Sequence, residues 1–416
     1  MNLLTWLFLA ALITSTLLRG WLAWRQMRYV STHRAEVPAA FASEVELPAH
    51  QKAADYTVAK ARLGLVNLGL DFALTLIWTV GGGLAVVDTA WHHVLDGTLS
   101  RGVLVIASFA LLSGLISLPL GIWSTFVTEA RFGFNRTNVK TFVLDLLKGL
   151  LLAAVLGLPL LYAALWLMQA SGVLWWLYVW LLWMGFSLAI TWAWPVFIAP
   201  LFNRFTPLDD AALKQRIETL LQRCGFTSRG VFVMDGSSRS THGNAYFTGF
   251  GKHKRIVFFD TLMVKLAPDE IEAVLAHELG HFRLRHVIQR LLVTAVLSLA
   301  GLSLLGWLTL KPWFYSGLGV TQPSAYMALL LFMLLIPPFL FLLEPVMSAW
   351  SRKHEFQADA YATRQTDALA LIRALVKLYR DNASTLTPDP LYSLFHDSHP
   401  PAAARIARLQ TLARTS

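Results

Sequence analysis

The chain is 416 residues long, 56% hydrophobic and only 14% charged, with a formal charge of +10. That charge content is about half the soluble norm, which excludes disorder, a collagen-like fibre and a disulfide scaffold, and so much apolar surface calls for burial in a membrane. The single cysteine, Cys224, forms no internal bridge, and the basic excess reads as cytoplasmic loops of a membrane protein rather than a nucleic-acid surface.

Seven apolar stretches approach the ~20 residues that span hydrocarbon as a helix. They run approximately over Leu3–Leu18, Leu63–Val87, Val103–Trp123, Gly149–Met168, Val173–Trp194, Leu291–Leu310 and Tyr326–Leu343. The first is short, but no basic residue precedes it and Arg19 follows it, the reverse of a signal peptide, so it reads as a retained helix. Loop charge then orients the set. The connections after spans one and three carry ten Lys and Arg, among them Arg25, Arg34, Arg131 and Lys140, whereas the alternate connections carry Arg101 and Lys311 alone. The positive-inside bias places the amino terminus outside and the carboxyl terminus in the cytoplasm.

This organisation predicts four parts. Residues 1–202 form a membrane region with the first five helices, and 203–287 a cytoplasmic insert. Residues 288–345 hold helices six and seven, and 346–416 a second cytoplasmic part. Within the insert, Asp209–Cys224 has a helical pattern stopped by Gly225. Gly230–Met234, Asn244–Phe250 and Arg255–Phe259 read as strands, the last two joined by a turn at Gly251–Lys254. Pro268-Asp269-Glu270 starts another helix, with proline in the first turn and acids at the positive end of the dipole.

That helix contains His277-Glu278-Leu279-Gly280-His281. Residues four apart share a helix face, so both imidazoles can meet one zinc ion, with Glu278 beside them to take a proton from water. Catalytic zinc needs a third protein ligand. Glu355 is the best candidate, because Asp359 follows one turn later, where a carboxylate can hydrogen-bond a ligating imidazole. His354 and His286 are rival third ligands. No cofactor beyond one zinc ion per chain is called for. Asn67 and Asp71 lie one turn apart inside the second span, facing either a hydrated cavity or a packed basic partner. Pro337-Pro338 should kink the seventh span.

Taken with further segments, the motif resembles the type I CAAX prenyl proteases, integral-membrane zinc metallopeptidases of the sterile-24 type. The resemblance rests on Ser240-Thr241-His242-Gly243-Asn244-Ala245-Tyr246-Phe247, Lys254-Arg255-Ile256-Val257, His277–His286, Ser351–Tyr361, Arg131–Arg136 and Ser398-His399-Pro400-Pro401. It implies a mainly α polytopic protein, seven transmembrane helices around a water-filled chamber, plus a zincin-like α+β catalytic domain with a small β-sheet. It implies zinc on His277, His281 and Glu355, Glu278 as catalytic base, and Asp359 supporting a ligand. His399 and Arg405 are the candidates for steadying the oxyanion, against readings as a turn and a surface residue. Asn244, Ala245 and Tyr246 are candidates for gripping an extended peptide along a strand edge, against an interior strand. His242 reads as a loop histidine.

The expected activity is therefore zinc-dependent endopeptidase cleavage of peptide or protein substrates, in CAAX processing after a prenylated cysteine. The alternative is membrane-protein quality control on substrates without a prenyl group. The lipid bilayer is the other partner, and nucleic acid is not one. The expected location is a bacterial inner membrane, or the endoplasmic reticulum in a eukaryote. A transporter would favour internal repeats, and none is visible. An inactive scaffold would tolerate loss of Glu278 or a ligand, and all are present.

Overall fold

The computed structural model describes residues 1–248 and 253–414. Among them are seven helical segments long and apolar enough to cross a membrane. The first three are α1 (Leu3–Thr32), α2 (Leu47–Trp78) and, after a short α3 (Gly83–His92), α4 (Thr98–Glu129). Then follow α5 (Val139–Ala170), α6 (Gly172–Phe202), and, after the insert, two more described below.

The helices outrun the apolar stretches, because hydropathy ends at the hydrocarbon boundary while the backbone can continue into water. The 30 residues of α1 extend about 45 Å. At its start Asn2 caps the helix, donates to the Trp313 carbonyl at 2.7 Å, and Thr5 donates to the Gly317 carbonyl at 2.7 Å. Near its far end Arg25 reaches the buried carboxylate of Asp389 at 2.9 Å, and Gln26 Oε1 accepts from the Asp389 N–H at 2.7 Å. The amino terminus therefore sits at the end of the bundle remote from the carboxyl-terminal residues.

Two spans depart from the expected outline. The second stops at Trp78 rather than Val87, because Gly81-Gly82-Gly83 turns the chain. Gly82 has φ +77°, and a Cβ on Gly81 or Gly83 would press the Ile77 backbone at 2.9 and 2.8 Å. The seventh breaks at the proline pair, as expected. Here α9 is His286–Leu308, α10 (Ala325–Leu335) ends just before Pro337, and a turn over Pro337–Leu343 leads into α11 (Glu344–Ala362).

The insert begins with β1 (Phe205–Pro207), which the sequence pattern did not suggest. It continues with α7 (Ala211–Arg223), β2 (Thr227–Met234), β3 (Ala245–Thr248), β4 (His253–Phe259) and α8 (Pro268–Arg283). The sheet order is β1-β2-β4-β3, with β2 and β4 parallel and the other pairs antiparallel. The turn expected at Gly251–Lys254 lies partly outside the described residues, which resume at His253 as β4 begins. Beyond the seventh span come α12 (Ala368–Asp381), α13 (Pro390–His396) and α14 (Ala402–Ala413).

One apolar core joins these parts. Ile217 and Leu220 of α7, Ile256 and Phe258 of β4, Leu275 and Leu279 of α8, Leu371 of α12 and Leu409 of α14 pack together fully buried. Burial of such side chains contributes roughly 1.5–3 kcal/mol each, which fixes α8 between the sheet and the carboxyl-terminal helices. A separate core of Phe8, Leu84, Val105, Phe314 and Leu330 closes the remote end of the bundle. Between α1, α2, α11 and the catalytic elements lies a cavity of about 1020 Å³ bordered by Arg19, Asn67, Asp71, His242 and Glu344. Asp71 thus faces a cavity, accepting from Asn67 Nδ2 at 3.2 Å.

Candidate metal centre

The α8 helix starts where the sequence places its signals. Pro268 occupies the first turn, and the Glu270 carboxylate accepts from the Ala267 N–H at 2.8 Å and from Lys377 Nζ at 2.7 Å. Gly280, between the two histidines, lets α11 approach closely. A Cβ there would stand 3.0 Å from Ala358 Cα. That approach brings Glu355 onto the histidine face.

His277, His281 and Glu355 form the cluster able to hold a metal ion among the described residues. The two Nε2 atoms are 3.3 Å apart; Glu355 Oε2 lies 3.4 Å from His277 Nε2, and Oε1 lies 3.4 Å from His281 Nε2. Donors bound tetrahedrally to zinc at about 2.0–2.1 Å stand roughly 3.3–3.4 Å apart, so the spacing fits that ion. Glu355 Oε2 is buried and faces imidazole nitrogens, His277 Nε2 at 3.4 Å and His399 Nδ1 at 2.8 Å. A dry carboxylate set against two imidazoles in a triangle of this size is a donor set that suits a zinc ion. The residues present therefore fit the metal.

Behind the ligands the site is dry and charged. His277 Nδ1 meets Asp359 Oδ1 at 2.9 Å, and Arg405 grips Asp359 through two bonds of 2.6 and 2.9 Å. Burial works against the His277 cation, but hydrogen bonds to Asp359 and Glu355 outweigh it and raise the imidazole pKa to about 9. Burial likewise opposes the Arg405 charge, and the Asp359 bonds more than offset it, so its pKa rises.

His281 Nδ1 is met by His286 Nδ1 at 3.0 Å, whose Nε2 in turn stands 3.0 Å from Gln357 Oε1. His354 stacks on His286 at 3.9 Å and bonds Gln289 at 3.0 Å. Both rival ligands thus lie behind the metal-facing triad rather than in it. Gln357 and Gln289 were not singled out from the sequence. Their partners lie about 70 residues away in the chain, a distance over which no local spacing speaks.

The open side of the site is a cavity of about 310 Å³ bordered by Glu278, the three ligand residues, His399 and Tyr246. His399 is 61% exposed at its side chain, whereas Arg405 is only 5% exposed and faces Asp359. β3 is an edge strand: β4 pairs with one side, with Ala245 opposite Phe258 and Tyr246 opposite Val257, and no described strand pairs with the other. Asn244 precedes it, its carbonyl accepting from the Phe259 N–H at 3.0 Å. His242 stacks on Phe134 at 4.4 Å and lies 3.6 Å from Glu129, bordering the larger cavity instead.

Known proteins resemble the chain over most of its length. Residues 26–204 match the family described as CAAX prenyl protease N-terminal, five membrane helices, and residues 207–413 match peptidase family M48. The chain is similar to CAAX prenyl protease 1 of Saccharomyces cerevisiae, 36% identical, over 94% of this chain and 91% of the yeast protein. It is 31% identical to the human CAAX prenyl protease 1 homolog, over 76% of this chain and 74% of the human one. It superposes on the crystal structure of S. mikatae Ste24p with a TM-score of 0.90 at 33% identity, covering 98% of this chain and 99% of the other.

Proposed function

The chain belongs to peptidase family M48, as a multi-pass membrane metallopeptidase homologous to CAAX prenyl protease 1, and from that premise we propose how its residues work. His277, His281 and Glu355 hold one zinc ion per chain. When bound, that ion supplies acidification of water and polarisation of the scissile carbonyl. Glu278, next to His277 in the chain and opening to the same cavity, takes the proton from the attacking water and delivers it to the leaving amine. Asp359 holds His277 with its Nδ1 protonated and Nε2 free to bind, and Arg405 keeps Asp359 ionised.

The free edge of β3 offers main-chain hydrogen bonds to an extended peptide, with Asn244, Ala245 and Tyr246 setting its register. His399 opens to the cavity and donates to the oxyanion as it develops. Arg405, turned towards Asp359, acts through His277. Residues 203–287 and 346–416 make up the catalytic part, at the cytoplasmic end of the bundle. The basic connections support this orientation: Arg136 N–H donates to the Arg239 carbonyl at 3.0 Å, so a Lys- and Arg-rich loop shares the catalytic end. The membrane is a bacterial inner membrane or the endoplasmic reticulum.

The substrate we propose is a protein ending in a CAAX motif with a prenylated cysteine, cut to remove the last residues. The observation that carries the chemistry is the 3.3–3.4 Å triangle of donor atoms beside Glu278. The test is zinc content together with cleavage of a farnesylated CAAX peptide and its unprenylated twin in detergent. Wild-type enzyme should hold one zinc and cut the prenylated peptide preferentially. Glu278→Gln should keep the zinc and lose about 10²–10⁴-fold in turnover; parental turnover removes Glu278 as the base. Equal cleavage of the two peptides would move the biology to quality control of membrane proteins.

A further inference from the structure

Arg290 borders the same 310 Å³ cavity as the metal ligands. It stands four residues after His286 on α9, so the two side chains share one helix face. Its guanidinium donates to Ser351 Oγ at 3.2 Å, and among the described residues no carboxylate forms an ion pair with it. Ser351 is four residues before Glu355 on α11, which brings the contact onto the cavity face of that helix too. A cation that opens into a reactive cavity and is anchored by a neutral hydroxyl has its remaining donors free for an anion.

The geometry also sets which anion. His286 touches ligand His281 at 3.0 Å, and Arg290 lies one helical turn beyond it, roughly 6 Å of rise. An extended peptide advances about 3.3 Å per residue, so three residues beyond a cut place the chain terminus roughly 10 Å from the metal face. The cavity, about 310 Å³, is at the small end of ligand sites and takes a short peptide segment. Tyr246 and Phe282 supply the apolar flank that such a segment needs.

We propose that Arg290 is a specificity-determining residue that binds the terminal carboxylate of the short segment released by the cut. The inference rests on the reading above that cleavage removes residues from a carboxyl terminus. It makes the enzyme sense where its substrate ends, through a bidentate pair rather than through side-chain identity.

The test compares a farnesylated CAAX peptide ending in a free carboxylate with the same peptide ending in a carboxamide. Wild-type kcat/KM should favour the carboxylate by about 10-fold or more. Arg290→Met should bring that ratio close to one, and Arg290→Lys should restore part of it. Retained zinc in both variants shows that the fold and site are intact. A wild-type ratio near one, or a full preference surviving in Arg290→Met, overturns the proposal and leaves Arg290 an interfacial cation facing lipid. Cleavage of neither peptide by the wild-type enzyme removes the parent reading, and the proposal with it.

Discussion

His277 and His281 lie one turn apart on α8, yet the two flanks of the site hold them by different chemistry. On one flank Asp359, fully buried and doubly bonded to Arg405, backs His277 with an anion. On the other, His286 backs His281. With His281 Nε2 turned to the metal, its Nδ1 carries the proton, so His286 Nδ1 must accept and its Nε2 must donate to Gln357 Oε1. That chain of bonds needs a neutral His286. An anionic partner orients an imidazole and raises its basicity, whereas a neutral one only orients it. The fixed charge is therefore concentrated on the dry side, balanced by Arg405. Besides the ligand Glu355, the charged groups that border the cavity are Glu278 and Arg290.

Removing the anion from the charged flank should have the largest effect. Asp359→Asn keeps an oxygen for His277 Nδ1 but leaves the buried Arg405 cation with only the more distant Glu355, at 3.8 Å, as counterion. Metal affinity should fall about 10–100-fold and stability by about 3–5 kcal/mol. Chelator competition and thermal unfolding measure the two, and an unchanged metal affinity would break the contrast between the flanks. Arg405→Met comes next. If Arg405 acts through Asp359, zinc binding weakens and turnover recovers at saturating zinc. A turnover deficit that persists at saturating zinc would instead put the guanidinium on the oxyanion.

The sequence made some of this legible and hid the rest for physical reasons. The i, i+4 histidines, Glu278 and the Glu355–Asp359 pair are readable because helical spacing alone sets which face they share. Arg405 was visible as a candidate, but its burial against Asp359 depends on α14 packing on α12 and α11, which no local pattern encodes. Hydropathy located all seven spans while misjudging their ends. It truncated α1 at Leu18, since Arg19, Arg25 and Gln26 are polar though helical, and those residues carry the contact to Asp389. It overran α2, since three glycines look apolar while their backbone freedom turns the chain. β1 has three residues and ends in proline, too short for alternation to register.

The smallest effect should come from the neutral flank, and it tests the contrast most sharply. His286→Phe preserves the flat ring that His354 stacks on at 3.9 Å but removes the acceptor for His281 Nδ1–H. The loss of one neutral hydrogen bond, about 1 kcal/mol, should weaken zinc roughly 5-fold, well short of Asp359→Asn. His286→Gln, which keeps an acceptor oxygen, should weaken it less. Both are read by the same chelator competition, on protein whose secondary structure is unchanged by circular dichroism. If His286→Phe loses as much metal as Asp359→Asn, orientation alone governs both ligands and the charge behind His277 is incidental. If it loses none, His281 is held by α8 itself, and the anion-backed histidine is the one on which the site depends.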